Sequence, residues 1–308
     1  MRLAADHVRV SVPATAGNLG PGFDALGMAL GLADEVEVRA LASADVVIDI
    51  QGEGATSLPR DESHLVVRAL REALDHVGAS QVGLEIRAVN RIPHGKGLGS
   101  SAAAVVAGIS AARALIAEPE ALSAEVALQL ATVFEGHPDN AAPAIYGGAT
   151  VAWQDADGGH ASPLTVADEI ETAVLIPGST LPTKEARAVL PPQVPHPHAA
   201  FNVGRAALLV HALAGRPELL FAATEDKLHQ TYRADVMAPA MAMLRHLRDQ
   251  GIAAVVSGAG PSVLVLGTEL EAADLGSGTP EWAEGVGGES WTCVHTAERV
   301  PGATALRL

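Results

Sequence analysis

Alternating hydrophobic and polar positions in the first half of the chain predict the strands of one sheet. Apolar residues occupy every second position in four short segments, which is the period of a strand with one buried face. These segments are residues 8–12, 36–38, 46–50 and 82–86, and a further extended pattern covers residues 146–153. In the second half, strands are predicted at residues 173–176, 252–256 and 263–266.

Segments with helical periodicity alternate with these strands. Apolar residues recur in them every three to four positions, as on the buried face of a helix. The predicted helices cover residues 64–76, 100–116, 123–134, 202–213, 219–233 and about 235–251. A turn-rich break at residues 155–159 separates the two halves. We therefore predict a protein of mixed α and β structure with two domains, residues 1–160 and 161–308, and a boundary near residue 160.

A glycine-rich segment between a predicted strand and a predicted helix is the clearest candidate for chemistry. Gly95, Gly97 and Gly99 alternate with other residues and are followed by Ser100 and Ser101. Glycine lets backbone N–H groups turn toward one point, and the N-terminus of the following helix favours a phosphate there. The segment matches neither the P-loop nor the dinucleotide fingerprint. Taken alone, it could also be a strand-to-helix turn with no ligand.

Composition and charge narrow the classes of partner. The net charge of −16 argues against a broad basic face, so we expect no nucleic acid and no anionic membrane as a partner. The longest apolar stretch, residues 100–117, is too weakly hydrophobic for a membrane span, and the N-terminus has no signal-peptide pattern. The single cysteine, Cys293, excludes an internal disulfide and is expected to be a packing residue. These features favour a cytoplasmic protein whose partner is a small metabolite.

Three further segments combine polar side chains with glycines. Residues 257–262 form a second glycine-rich loop between two predicted strands. Residues 13–24 follow the first strand and carry an amide and a carboxylate with little bulk. Residues 135–140 place two carboxylates, an imidazole and an amide at the end of a helix, a density typical of metal or acid–base sites. Two glycine loops in different halves could close on one ligand from two sides.

Taken together, these four segments resemble the motifs of the GHMP kinase superfamily, named for galactokinase, homoserine kinase, mevalonate kinase and phosphomevalonate kinase. The central motif of that superfamily, Pro-x-Gly-x-Gly-Leu-Gly-Ser-Ser, is matched by residues 93–101, and its C-terminal motif is matched by residues 257–262. Residues 13–27, 135–143 and 183–187 look like the versions found in homoserine kinases. The resemblance covers nearly the whole chain and weakens beyond about residue 268.

The resemblance implies a fold and an activity. The fold has an N-terminal ribosomal-S5-domain-2-like α+β domain and a C-terminal ferredoxin-like α/β sandwich, with ATP and the second substrate between them. The activity is transfer of the γ-phosphate of ATP to the side-chain hydroxyl of L-homoserine, on the route to threonine. Many relatives dimerise, which makes a homodimer one expectation for this chain.

Residue by residue, the resemblance implies an ATP and Mg²⁺ site. Glu135 and a serine, Ser100 or Ser101, would hold Mg²⁺ with oxygen atoms alone, as suits a hard cation. His64 falls where the superfamily contacts adenine. The residues implied in ATP binding are His64, Pro93, His94, Gly95, Lys96, Gly97, Leu98, Gly99, Ser100, Ser101, Gly258 and Gly260.

L-Homoserine is a zwitterion, and the resemblance also implies the groups that bind it. Arg187 and Arg233 match arginines that hold the amino-acid carboxylate, a task suited to a planar guanidinium. The positions around the amino group and the reacting hydroxyl are Asn18, Asp24, Asp139 and Asn140. The implied catalytic residues are Asp24, Ser101, Glu135 and Asp139. The general base is left open between Asp24, Asp139 and direct transfer of the proton to the phosphate.

Two other functions remain compatible with these motifs. A kinase of the same superfamily could act on another small alcohol, because glycine loops indicate that ATP binds but do not identify the acceptor alcohol. A non-catalytic metabolite sensor should lack Glu135 or the serine hydroxyls that follow the glycine loop, and all of these are present. Without the resemblance, Arg187 would be read as a surface arginine and residues 139–140 as a helix-ending turn.

Overall fold

Two sheets with helices packed against them make up the fold. The computed structural model describes residues 1–270, 273–296 and 299–308. Most neighbouring strands are antiparallel, and their buried positions are the alternating apolar residues that predicted them. The strands of this part of the chain are β1 His7–Gly17, β2 Leu26–Leu41, β3 Val46–Gly52, β4 Gly83–Asn90, β5 Ala149–Asp155, β6 Gly158–Leu164, β7 Glu171–Pro177, β8 Ala254–Val256, β9 Val263–Gly267, β10 Trp291–Thr296 and β11 Thr304–Arg307.

The helices occupy the segments between these strands. Most of the predicted helices are found within a few residues of the expected positions. The α-helices of the described residues are α1 Leu65–His76, α2 Ser100–Leu115, α3 Ala124–Glu135, α4 Ala141–Tyr146, α5 Thr183–Ala188, α6 His196–Leu213, α7 Leu220–Ala223 and α8 Ala238–Asp249.

The larger sheet has seven strands, and the helix that follows the glycine loop, α2, packs against it. Its order is β11-β1-β2-β4-β3, with β5 paired to β2 and β6 paired to β5. The alanine-rich α2 packs between β1 and α1 and is buried along most of its length. A side chain at Gly108 would collide with the carbonyl oxygen of Val66, so the two helices approach closely because α2 is built from small residues. This packing fixes the N-terminus of α2, where the glycine loop ends.

The smaller sheet is antiparallel and has the strand order β10-β7-β9-β8. Numbered along the chain within the sheet, this is the order 4-1-3-2 of a ferredoxin-like fold. Helix α8 covers the sheet and buries Met243 and Leu247 against it. The two sheets with their helices confirm the predicted α+β class. Between β9 and β10, the described residues contain only two short 3-10 turns in place of a second long helix.

Two strands cross the boundary that the sequence predicts near residue 160. Strand β6 runs through this position and pairs with β5, placing His160 opposite Trp153. Strand β11 returns from the C-terminal end of the chain and pairs with β1. This last strand is only four residues long and exposed, so it lacks the alternating pattern that marks the others. The larger sheet therefore contains residues from both ends of the chain.

The prediction of one helix over residues 219–233 is wrong. Helix α7 covers only four residues of this range. Beyond it, the Asp226 carboxylate accepts hydrogen bonds from the backbone N–H groups of Leu228, His229 and Gln230. These N–H groups are thereby withdrawn from helical carbonyl partners, because an aspartate side chain competes with the backbone for them.

Two expectations from composition can be compared with the structure. Cys293 lies in β10 of the smaller sheet with its side chain buried, and burial raises the pKa of its thiol to about 11. A thiol held protonated in this way packs rather than reacts, which agrees with the role expected for it. Among the described residues, no helix combines the length and the apolar character that crossing a membrane requires.

Candidate active site

Three loops meet at the N-terminus of α2. The glycines of the first loop have backbone φ of 65° to 72°, which glycine adopts without strain, at Gly95, Gly97 and Gly99. Thr15 near the end of β1 donates its backbone N–H to Leu98 O at 3.0 Å, and Ser257 Oγ donates to Gly97 O at 2.7 Å. A side chain at Gly97 would collide with the carbonyl oxygen of Ser257. The alternating glycines are therefore needed for contact between the loops as well as for the turn.

Ser101 and Glu135 form a polar pair at the first turn of α2. Ser101 Oγ donates a hydrogen bond to Glu135 Oε1 at 2.6 Å, which joins the start of α2 to the end of α3. Burial raises the pKa of Glu135 above its ordinary value, and the nearby Asp139 adds to this effect. Ser100, Ser101 and Glu135 together line a small polar cavity. These oxygen atoms are ligands of the kind that Mg²⁺ takes.

Lys96 does not direct its ammonium group into this cavity. Its Nζ donates to the carbonyl oxygens of Pro177, Gly178 and Ser179 at 2.5–2.7 Å, just at the end of β7. The side chain is only 9% exposed. Lys96 therefore joins the glycine loop to the smaller sheet, and only its backbone is left to meet a ligand.

We expect Lys96→Met to lower the free energy of unfolding by about 3 kcal/mol, because three hydrogen bonds from a charged donor are lost and the buried carbonyl of Pro177 loses its partner. Denaturant unfolding of the purified variant measures this change. Lys184→Met is the matched control, since Lys184 is exposed. An unchanged unfolding free energy together with a large rise in KM for ATP would contradict the structural role and favour direct phosphate binding.

An apolar cavity of about 340 Å³ lies beside the glycine loop, between α1 and α2. Its walls include Ala103, Ala104 and Ala107 of α2, and His64 and His94 also line it. His64 is buried, and its Nδ1 atom has no hydrogen-bond partner among the described residues. Burial lowers the pKa of His64, which favours the neutral ring. A flat heterocycle with hydrogen-bonding edges, such as adenine, fits these walls.

A polar cavity of about 90 Å³ adjoins the apolar one and shares Ser100 and Ser101 with it. The polar side chains that line this cavity come from both halves of the chain. They are Asn18, Ser100, Ser101, Glu135, His137, Asp139, Asn140, Thr183, Arg187 and Arg233. The shared serines lie where a nucleotide in the first cavity would present its phosphates to the second.

Asp139 is buried in the wall of the polar cavity, with 1% of its surface exposed. Its Oδ1 is hydrogen-bonded to His137 Nδ1 and accepts from Asn140 Nδ2 at 3.3 Å. Its Oδ2 has no partner among the described residues. Burial alone would lower the pKa of His137, but the hydrogen bond to Asp139 raises it above its ordinary value. One carboxylate oxygen is thus buried without a hydrogen-bond partner from the described residues.

Asp24 and Arg187 form a two-point ion pair at the wall of the polar cavity, which Arg187 lines. Arg187 Nη2 donates to Asp24 Oδ1 at 2.6 Å, and Nη1 donates to Oδ2 at 3.2 Å. Asn18 holds the loop that carries Asp24, because Asn18 Oδ1 accepts from the Asp24 backbone N–H at 2.9 Å and Nδ2 donates to Gly258 O at 2.8 Å. One carboxylate oxygen of Asp24, one carboxylate oxygen of Asp139 and one ring nitrogen of His137 lie within 4.8 Å of one another.

Arg233 is the second guanidinium of the cavity. It is 1% exposed, and its Nε donates to Ala186 O at 3.0 Å while its Nη1 bonds His229 Nδ1 at 2.7 Å. Burial and the neighbouring Arg187 lower the pKa of Arg233 to about 10, so it remains charged at neutral pH. A guanidinium has five N–H donors, of which these contacts use two.

The structure brings most of the expected site residues to these two cavities, with four exceptions. Lys96 turns away as described, Pro93 and Gly260 line neither cavity, and Asp24 lies beside the polar cavity through its ion pair with Arg187. His137 and Thr183 belong to the polar cavity although neither was expected as a site residue. Both lie inside segments that the sequence analysis identifies as candidate site segments, residues 135–140 and 183–187. Their position in these segments was the signal that could have identified them as site residues.

The fold and the glycine loop define a kinase of the GHMP type. Residues 64–148 match the family model described as GHMP kinases N terminal domain. The solved homoserine kinase of Cytophaga hutchinsonii superposes with a TM-score of 0.84 at 28% identity, covering 98% of each chain. The mevalonate kinase of L. major, at 15% identity and a TM-score of 0.67, covers 94% of this chain and 96% of its own and shows the fold alone.

Sequence relatives are more similar. The homoserine kinase of Streptomyces avermitilis is 51% identical over 302 residues, which are 98% of this chain and 96% of that protein. The homoserine kinase of Clavibacter michiganensis is 50% identical over 273 residues, 87% of this chain and 86% of that one. This chain belongs to the homoserine kinase family. The resemblance in its motifs is confirmed, and the chain is a phosphotransferase.

Proposed function

We propose that this enzyme transfers the γ-phosphoryl group of ATP to the side-chain hydroxyl of L-homoserine, giving O-phospho-L-homoserine and ADP. The names of its relatives support this acceptor. The structural observation that carries the proposal is one polar cavity lined by Arg187 and Arg233 together with Ser101 and Glu135. The cavity thus combines charges for an amino acid with ligands for a phosphate-bound cation.

The charges of the polar cavity complement a zwitterion. We assign the carboxylate of homoserine to Arg187 and Arg233, whose guanidinium groups suit a planar anion. We assign its ammonium group to Asp24 and Asp139, because a carboxylate oxygen of each lies within 4.8 Å of the other and both can accept hydrogen bonds from it. A sugar has no carboxylate and mevalonate has no ammonium group, so neither would use both sets of charges.

ATP fits the apolar cavity and the glycine loop. We place the adenine beside His64, whose buried Nδ1 has no partner among the described residues, and the phosphates at the N-terminus of α2. Glu135 with Ser100 or Ser101 would hold Mg²⁺. Bound there, the ion would neutralise charge on the transferred phosphoryl group.

The transfer forms a bond from the hydroxyl oxygen to the γ-phosphorus and breaks the bond from that phosphorus to ADP, with loss of the hydroxyl proton. Asp24 is a poor acceptor for this proton because both of its oxygens already accept from Arg187. Asp139 is better placed, since its Oδ2 has no partner among the described residues. The proton therefore passes to Asp139 or directly to the phosphoryl group, and positioning supplies most of the catalysis.

Other properties remain proposals of the same kind. We infer an ATP-binding domain of residues 1–160 and a C-terminal domain of residues 161–308, supported by the change of sheet between β6 and β7. A homodimer and a cytoplasmic location stay predictions.

An acceptor panel tests the proposed function. With ATP and Mg²⁺, we expect kcat/KM for L-homoserine to exceed that for L-serine, L-threonine, mevalonate and galactose by at least about 100-fold, because the other acceptors misplace the hydroxyl or lack a charge. A better result with another alcohol would overturn the acceptor. ATP binding with no phosphorylated acceptor would instead favour a sensor.

A further inference from the structure

His229 lies behind the polar cavity and is completely buried. Its Nδ1 is 2.7 Å from Arg233 Nη1, and its Nε2 is 2.8 Å from the carbonyl oxygen of Gly20. A guanidinium only donates hydrogen bonds, and a carbonyl oxygen only accepts them. The two contacts therefore require a neutral ring with its proton on Nε2. Burial lowers the pKa of His229, which agrees with that protonation state.

The surroundings of His229 hold the ring in one orientation. Its backbone N–H donates to Asp226 Oδ2 at 3.0 Å, and Asp226 Oδ1 in turn accepts from Asn202 Nδ2 at 2.9 Å. The ring stacks on Phe23 with centroids 5.2 Å apart. His229 is therefore a rigid acceptor placed directly behind Arg233.

Phe23 also lies under both arginines of the cavity. The guanidinium carbon of Arg187 is 5.5 Å from the centroid of the Phe23 ring, and that of Arg233 is 5.7 Å from it. An aromatic face attracts each cation, which helps two like charges stay close. Arg233 needs a further restraint against repulsion by Arg187, and its bonds to Ala186 O and to His229 supply it.

We propose that His229 is a positioning residue that orients Arg233 toward the carboxylate of the amino-acid substrate and links it to the loop that carries Asn18 and Asp24. The link runs through Gly20, whose carbonyl accepts the Nε2 proton and which lies between those two residues in the chain. A pre-oriented guanidinium loses less freedom on binding an anion. The inference rests on the proposed function, because it assumes that Arg233 meets that carboxylate.

Steady-state kinetics of three variants test this role. We expect His229→Phe, which keeps the stack on Phe23 but loses both hydrogen bonds, to raise KM for L-homoserine about 10-fold and leave KM for ATP within about 2-fold. His229→Gln should recover most of the loss, because an amide can accept from Arg233 and donate to Gly20 O. Added to Arg233→Ala, the His229→Phe change should raise KM for homoserine little further.

Two further measurements distinguish an effect on the orientation of Arg233 from a general loss of protein stability. With 3-aminopropan-1-ol, which is homoserine without its carboxylate, His229→Phe should change kcat/KM little. In wild-type protein, ¹⁵N NMR of labelled histidines should show His229 neutral with its proton on Nε2 at pH 7. This measurement can be made even if the His229→Phe variant does not fold. The His229→Gln spectrum identifies the signal.

The outcomes are distinguishable. Equal losses toward both acceptors, additive effects with Arg233→Ala, or a charged or Nδ1-protonated His229 would overturn the positioning role. If Arg233→Ala itself leaves KM for homoserine unchanged, the carboxylate assignment fails, and the role of His229 fails with it. If homoserine is not phosphorylated at all, the proposed function fails.

Discussion

Replacing Glu135 with glutamine is expected to lower kcat about 1000-fold while KM for L-homoserine changes little, because an ion that stabilises transition-state charge loses a ligand. Glutamine keeps the size of the side chain and its hydrogen bond to Ser101 but removes the negative charge. The contact at 2.6 Å between Ser101 Oγ and Glu135 Oε1 places this charge at the start of α2, where the phosphates are proposed to lie. Initial rates over a Mg²⁺ titration measure the effect.

Glu120→Gln is the matched control, because Glu120 is exposed in the segment that connects α2 to α3. It should leave kcat and the Mg²⁺ dependence unchanged. If Glu135→Gln retains kcat within about 3-fold, Glu135 does not contribute the charge on which the proposed metal site depends.

Replacing Arg187 with alanine is expected to raise KM for L-homoserine about 100-fold, roughly 2.7 kcal/mol, with a smaller change in kcat and in KM for ATP. The guanidinium is one of two cations assigned to the substrate carboxylate. Its loss also frees the Asp24 carboxylate, which would then repel that of the substrate. Arg187→Lys should recover only part of the loss, since an ammonium group cannot make the two-point contact.

Arg216→Ala serves as the control. Arg216 is exposed and pairs only with Glu218 in the described contacts, a surface ion pair of small energetic value. With 3-aminopropan-1-ol as acceptor, Arg187→Ala should lose far less than with homoserine. Equal losses with the two acceptors would show that Arg187 supports the loop of Asp24 and does not bind a carboxylate.

Local sequence patterns predicted the candidate site residues that lie next to each other in the chain. The glycines before Ser100 predict a phosphate loop because their positive φ and the helix start that follows are local properties. The alternating strands and most helices follow from the burial of one face. The same reasoning failed at residues 219–233, where a buried aspartate withdraws backbone donors from a helix.

Contacts between distant segments could not be predicted in this way. Lys96 resembles a phosphate ligand by its place in the loop, yet its ammonium group bonds carbonyls that are about 80 residues away in the chain. His229 has no motif of its own and is recognised only by its contacts with Arg233 and Gly20. Arg187 would be a surface residue on its helix without Asp24, which lies 163 residues earlier.

In the proposed reaction, the γ-phosphoryl group of ATP ends on the side-chain oxygen of L-homoserine. The most direct test is ³¹P NMR of a reaction containing enzyme, ATP, Mg²⁺ and L-homoserine. We expect a phosphomonoester signal coupled to the side-chain methylene protons, growing in step with ADP. ADP accompanied only by inorganic phosphate, or no ADP at all, would contradict the account.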